Sequence, residues 1–349
     1  MHFSSVPTDV LTQFRSGVVI PAQPLALNAD RQFDVRRQRA LTRYYVDAGA
    51  GGLAVGVHTT QFAIRDVGLY TPVLEAAAQT ASSWTDRPLV MIAGVAGKTA
   101  QAVNEARTAR ALSYHAVLLS LTALKGCNED ELIAHCQTVS TEMPLVGFYL
   151  QPAVGGMALG ASFWRRFAAI KNVIGIKVAP FNRYATLDVM AGVAAANAGE
   201  RVTLYTGNDD HIVLDLVTPF RTEIGALHFA GGLLGHWSVW TQKAVGILER
   251  CKAVRGKDAV SIDILALDSA VTDCNAAFFD VANAFHGVIA GCHEVLRRQG
   301  LLEGRWCLDP DEDLSPGQAD AIDRVYRLYP ELNDDAFVRA NLERWLESA

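Results

Sequence analysis

The run Val173-Ile174-Gly175-Ile176-Lys177-Val178-Ala179-Pro180 carries a single charge. An ammonium is costly to bury in so apolar a stretch, and desolvation lowers its pKa. A neutral amine attacks carbonyl carbon, so the chemistry Lys177 offers is Schiff-base formation. The competing reading is a lysine that leaves a strand end for solvent.

Other residue types gather around the same idea. Tyr149 ends the preceding apolar run. Neighbouring strands lie about 4.8 Å apart, so a phenol there could shuttle protons to the amine or its substrate. The alternative is a core tyrosine whose hydroxyl is tied to backbone. Thr59 and Thr60 offer two hydroxyls and turn amides, a carboxylate cradle. Arg65-Asp66 could guide a second anionic group or form a surface ion pair. A rival constellation is His58, Asp209, Asp210, His211, His228 and His236, which could hold a metal for hydrolysis. The first strand, however, is followed by Gln23-Pro24-Leu25 and lacks the His-x-His expected of such a site. No metal or organic cofactor is expected.

These residues need a scaffold that brings distant segments to one place. Short apolar runs recur at Gly17–Pro21, Gly52–Val57, Leu89–Ala93, Ala116–Ser120, Leu145–Tyr149, Val173–Val178, Val202–Thr206 and Ala226–Ala230. Each has the length and continuous hydrophobicity of a buried parallel strand. Helical patterns lie between them, at Asp34–Ala48, Thr99–Ser113, Glu129–Thr141 and Ala161–Lys171 among others. Eight such alternations predict an α/β fold, a (β/α)8 TIM barrel. An open doubly wound sheet is the alternative, but no GxGxxG follows the first run. The expected boundaries are 15–255 for the barrel and 256–349 for a C-terminal helical extension packed on it. The eighth barrel helix is expected over Leu233–Val254. Helices are expected in the extension at Ser261–Leu267, Asp273–Arg298, Gly317–Leu328 and Asp335–Glu347. In a barrel, reactive groups stand at the C-terminal ends of the strands, and Thr59, Thr60, Tyr149, Lys177, Gly207 and His228 all fall there. Gly231-Gly232 reads as tight helix–strand packing in preference to a phosphate loop.

Composition bounds the partners. The 349 residues are 50% hydrophobic and 19% charged, enough to bury a large core. A balance of 31 basic to 37 acidic residues, net −6, gives no basic face for nucleic acid. The six cysteines form no CxxC pair and read as reduced thiols in a cytoplasmic protein. No secretory signal is evident at the N-terminus. The uncharged stretch Ile224–Trp240 is short of the roughly 20 residues of a membrane helix and reads as a buried strand entering a helix.

Over residues 15 to 300 the chain resembles the dihydrodipicolinate synthase and N-acetylneuraminate lyase superfamily. Gly175-Ile176-Lys177 is similar to its Gly-Ile-Lys, Tyr149-Leu150-Gln151-Pro152 to its Tyr-Asn-x-Pro, and Gly56–Thr60 to its carboxylate loop. Thr206-Gly207-Asn208-Asp209 resembles its Gly-x-Asp segment, and His228 falls where it prefers Gly. The resemblance implies a class I aldolase or lyase, or a dehydratase, acting on pyruvate or a related 2-oxo acid. Lys177 would be the imine lysine and Tyr149 the proton relay. Thr59, Thr60, Gly207 and His228 would contact substrate. It also implies a homo-oligomer, a dimer or tetramer, with no nucleic-acid or membrane partner. Gln61-Phe62 replaces the usual Gly-Glu, Leu150 stands for Asn, and Leu119–Gly126 has no tyrosine. These departures speak against dihydrodipicolinate synthase itself. They leave two alternatives to the lyase: a metal-dependent barrel hydrolase, or a catalytically silent oxo-acid-binding barrel.

Overall fold

A computed structural model of the protein describes residues 1–347; the last two residues of the expected 256–349 extension lie outside it. An N-terminal helix, α1 (Thr8–Ser16), comes first. The chain then alternates β1 (Val19–Pro21), α2 (Val35–Asp47), β2 (Gly52–Val55), α3 (Tyr70–Trp84), β3 (Val90–Val95), α4 (Thr99–Ala111), β4 (Ala116–Leu119), α5 (Glu129–Ser140), β5 (Leu145–Leu150), α6 (Ala161–Ala169), β6 (Val173–Ala179), α7 (Arg183–Ala195), β7 (Thr203–Thr206) and α8 (Ile212–Val217). A two-stranded hairpin, β8 (Phe220–Thr222) and β9 (Gly225–Leu227), precedes the last barrel strand, β10 (Phe229–Leu234), and α9 (Thr241–Val254). The extension adds α10 (Ile262–Phe278), α11 (Val288–Arg298), α12 (Gln318–Leu328) and α13 (Asp335–Leu346).

Eight parallel strands pair in the order β1-β10-β7-β6-β5-β4-β3-β2. A parallel bridge between Ala22 and Ala54 joins the two ends. The fold is a (β/α)8 barrel with C-terminal helices. Local signals explain its elements. All seven residues of β6 are buried, as a strand covered on both faces requires. Asn128 caps α5 by accepting from the Glu131 amide at 3.0 Å, while the Glu131 carboxylate accepts from the Asn128 amide at 2.8 Å.

Side chains alternate between two cores. Ile20, Ala54, Val90, Ile92, Leu118, Val146, Phe148, Ile174, Tyr205 and Leu233 fill the barrel interior. Leu53, Val55, Val117, Leu145, Tyr149, Val173, Ile176 and Val178 face the helical ring. The N-terminal floor is sealed by α1. Its Val10 and Phe14 join the interior core, Phe14 stacks on Tyr205 with centroids 4.9 Å apart, and the Tyr205 hydroxyl donates to the Phe14 carbonyl at 2.7 Å.

Two expectations about elements are corrected. The eighth strand begins at Phe229, not Ala226, and runs through Leu233, so the helix after it begins only at Thr241. Gly231 and Gly232 lie inside it. A Cβ on Gly231 would stand 2.4 Å from the Val18 carbonyl oxygen, and one on Gly232 would stand 2.5 Å from the Trp237 ring. The helix expected over Asp273–Arg298 is broken at Phe279–Gly287, where Asp280, Ala284 and Phe285 have φ of 55°, 53° and 67°. The extension packs on the barrel's outside through α13 and α2. There Trp345 meets the Tyr44 ring, and Arg43 donates to the Trp345 carbonyl at 2.6 Å. Among the described residues, no helix is long and apolar enough to cross a membrane, and all six cysteines are free thiols.

Candidate active site

Lys177 stands on β6 in direct register with Phe148 of β5 and Tyr205 of β7, both interior residues. Its side chain therefore points into the barrel. The residue is 6% exposed, its Nζ lies 4.5 Å from the centroid of the Phe148 ring, and among the described residues the amine has no hydrogen-bond partner. It borders a cavity at the C-terminal mouth. Burial pulls its pKa below the ordinary lysine value, against the opposing pull of Asp209.

Asp209 follows β7 and borders the same cavity, 4% exposed. Burial raises its carboxyl above the usual range, with Lys177 the largest opposing influence. One oxygen, Oδ1, accepts from the His236 amide at 3.0 Å; Oδ2 has no partner among the described residues. The loop that presents it is tied down from behind. Thr206 Oγ1 and Asn208 Nδ2 donate to Asp215 at 2.6 and 3.0 Å, and Asn208 Oδ1 accepts from the Phe181 amide at 3.1 Å. Gly207 is required here by space. A Cβ on it would come within 2.7 Å of Lys177 Cε.

The threonine pair divides its labour. Thr60 Oγ1 accepts from the amides of Gly56 and Val57 and donates to the Gln23 carbonyl at 2.7 Å. Its hydroxyl is consumed in shaping the loop, and Thr60 does not border the cavity, so the expected pair is not brought to it together. Thr59 borders the cavity, and its hydroxyl has no partner among the described residues. His58 lies beside it, its pKa pulled down to about 4 by burial and by Lys177, so it is neutral at pH 7. Arg65 does not pair with Asp66. It bridges Glu105 at 2.9 Å in a buried ion pair and donates to the carbonyls of Gly56 and Gly94, stapling the same loop.

Two expected site residues are not brought to the cavity. Tyr149 pairs with Val178, on the outer face of the sheet. Its ring lies 5.2 Å from that of Trp164, and its hydroxyl accepts from the Leu159 amide at 3.1 Å. The inward residue at this level is Phe148, which has no proton to give. His228 precedes β10 and so lies at the N-terminal end of the barrel, where Arg255 is its charged neighbour. Nor are His58, Asp209, Asp210, His211, His228 and His236 gathered. Among the described residues, no three His, Cys, Asp or Glu side chains are grouped to hold a metal.

Sequence reasoning named Asp209 only as a candidate metal ligand and within the Gly-x-Asp resemblance; it missed Phe148 as a cavity residue, and it missed the roof. Phe279 and Val288, from either side of the break between α10 and α11, border the cavity from the extension. Gly235, just past the true end of β10, does so from the barrel.

The arrangement is that of a barrel enzyme with a buried, unpaired amine at its mouth. Residues 15–232 match the dihydrodipicolinate synthetase family, and the chain belongs to it. N-acetylneuraminate lyase 2 of Escherichia coli O6:H1 is 23% identical over 318 residues, covering 90% of this chain and 94% of the relative. Among solved structures, CdNal of Clostridium difficile, in complex with mannosamine, superposes with a TM-score of 0.73 at 16% identity, covering 90% of this chain and 99% of its own. The chloride-inhibited dihydrodipicolinate synthase of Acinetobacter baumannii, complexed with pyruvate, does so at 0.73 and 19%, covering 89% and 98%. At the level of its family, the protein is a lyase.

Proposed function

We propose that the protein is a class I lyase that joins Lys177 to a 2-oxo acid as an imine. The observation that carries this is a buried lysine amine, free of hydrogen bonds, at the C-terminal mouth of the barrel. Its lone pair attacks the ketone carbon. The carbinolamine loses water, with a proton supplied to the departing oxygen, and a protonated imine remains. That imine accepts electrons from a neighbouring C–H or C–C bond, so C3 of the substrate becomes nucleophilic or a bond beyond it breaks. The Thr59 hydroxyl and the loop amides it sits among are suited to the carboxylate, with Thr60 and Arg65 holding that loop in shape.

The proton handling is assigned to Asp209, not to Tyr149. Asp209 has one carboxylate oxygen anchored and the other free, and it borders the same cavity as the amine. Raised by burial, its carboxyl is suited to gain and lose a proton near neutral pH. His58 is the other titratable group at the cavity. By family analogy the protein is a homo-oligomer that works without a cofactor in the cytoplasm.

The test is borohydride reduction in the presence of pyruvate, read by intact mass and peptide mapping. A single reduced adduct on Lys177, absent in Lys177→Ala, is expected. An adduct that survives in Lys177→Ala sinks the reading. The outward Tyr149 favours one second reading, a barrel that binds oxo acids without turning them over. Thermal stabilisation by oxo acids without trapping would distinguish it.

A further inference from the structure

The cavity's charged side chains lie at its base. Lys177, Asp209, His58 and Thr59 stand around the reacting amine. Strand side chains alternate, so the next inward positions toward the mouth are two residues on. On β5 that residue is Leu150, and on β6 it is Ala179. Beyond them come Val154 and Phe181 from the loops, and Phe279 and Val288 from the extension. Gln151 is the polar side chain of this upper half, and it is neutral. Among the described residues that border the cavity, Lys177 carries the sole Lys or Arg charge. Arg65 and Arg183 do not border the cavity, and they pair with Glu105 and, at 2.6 Å, with Asp215.

The apolar wall is built. Phe181 has φ of 49° and is held there by the bond from its amide to Asn208. Its ring meets Phe285 edge-on, with centroids 5.9 Å apart. Phe285 lies in the left-handed turn of the extension, whose fold is tied by Asp280 accepting from the Gly287 amide at 3.0 Å and from Ser315 at 2.5 Å. Three phenylalanines (Phe148, Phe181 and Phe279) thus border the cavity.

We propose that the group carried beyond C3 of the 2-oxo acid is apolar. This rests on the imine reading above. Hydroxyls or a second carboxylate on that chain would leave water for a wall with few donors and no spare cation, at a cost that an apolar chain avoids. In the bond-forming direction, pyruvate on Lys177 loses a C3 proton to give the enamine. The enamine carbon attacks an apolar aldehyde, one C–C bond forms, and the aldehyde oxygen takes up a proton. One water then hydrolyses the imine. The product is a 4-hydroxy-2-oxo acid with the apolar group on C4, and the free amine returns.

The experiment is a borohydride labelling competition on the full chain. The probes are pyruvate, 2-oxo-4-phenylbutanoate, 2-oxoglutarate and the polyhydroxylated 2-keto-3-deoxygluconate at equal concentration. Labelling of Lys177 by the phenyl acid is expected to exceed that by the polyol and the diacid about tenfold or more, the scale on which apolar contacts discriminate. Leu150→Asn, and Val154→Asn on the more exposed rim, are expected to lower the ratio of phenyl-acid to pyruvate labelling about tenfold. Equal or faster labelling by the polyol or the diacid overturns the proposal even when pyruvate labels Lys177 normally. If no acid labels, the imine reading fails while thermal shift still reads the wall. Greater stabilisation by the phenyl acid than by the polyol or the diacid supports the apolar assignment, and an equal, reversed or absent shift overturns it.

Discussion

Lys177 and Phe148 face each other across the β5–β6 ladder, with the amine 4.5 Å from the ring centroid. This one pairing orients both strands. It puts the amine inside the barrel, and it puts Tyr149, the next residue along, outside.

Tyr149→Phe is therefore expected to behave as a packing variant. It loses the bond from the Leu159 amide, at a cost of about 1 kcal/mol, and keeps imine formation within a few-fold. Asp209→Asn is expected to slow turnover by about 10²-fold or more, the scale of general acid–base catalysis. Steady-state kinetics beside thermal melts separate the two. A Tyr149→Phe enzyme as slow as Asp209→Asn would reverse the assignment.

The pH dependence follows from the same pair. The neutral amine attacks, so imine formation rises with pH through the pKa of Lys177. Burial sets that limb below the value of about 10.4 for an ordinary lysine. The Asp209 carboxylate favours the ammonium, so in Asp209→Asn the limb moves to lower pH. Rates of borohydride labelling across pH measure both positions. A limb that stays fixed would mean that the carboxylate does not act on the amine.

Thr59 and Thr60 are expected to part in their effects. Thr60→Val removes the group that binds two amides and one carbonyl, and should cost roughly 1–3 kcal/mol of stability. Thr59→Val should leave the melting temperature nearly unchanged and raise KM for the oxo acid. Calorimetry and steady-state kinetics give the two readouts.

Gly207→Ala places a methyl 2.7 Å from both Lys177 Cε and Ala179 Cβ. The backbone there is well anchored, so the lysine stem must give way. Labelling at Lys177 is expected to fall at least tenfold in a protein that still folds by circular dichroism. Unchanged labelling would show that the stem has room.

The barrel was legible because strands buried on both faces read as continuous apolar runs. The same continuity hid which way each residue points. In Leu145–Leu150 every residue is buried, so no alternation of polar and apolar marks Phe148 as inward and Tyr149 as outward, and a shift of one position exchanges the faces. Lys177 escaped that ambiguity because a charge within β6 stands out on either side. The eighth strand was misplaced because Gly231 and Gly232 resemble a turn, whereas close strand contacts are what require them. The roof was invisible because Asp280, Ala284 and Phe285 take left-handed backbone with no glycine or proline at those positions to interrupt the helical pattern. Asp209 sits in a polar loop, and sequence alone does not distinguish a buried carboxylate from a solvated one.

The plug formed by Phe14 against Tyr205 has a consequence for traffic. With the floor stoppered, whatever enters the barrel departs by the way it came. On the imine reading proposed above, the oxo acid must board first, because Lys177 lies deepest. The aldehyde then takes the outer berth, above the oxo acid, and blocks its retreat. Departure follows the reverse order. Kinetics of this kind are compulsory-order, with an excess of the outer partner closing the door on an empty lysine, and the queue is imposed by a dead end at the floor.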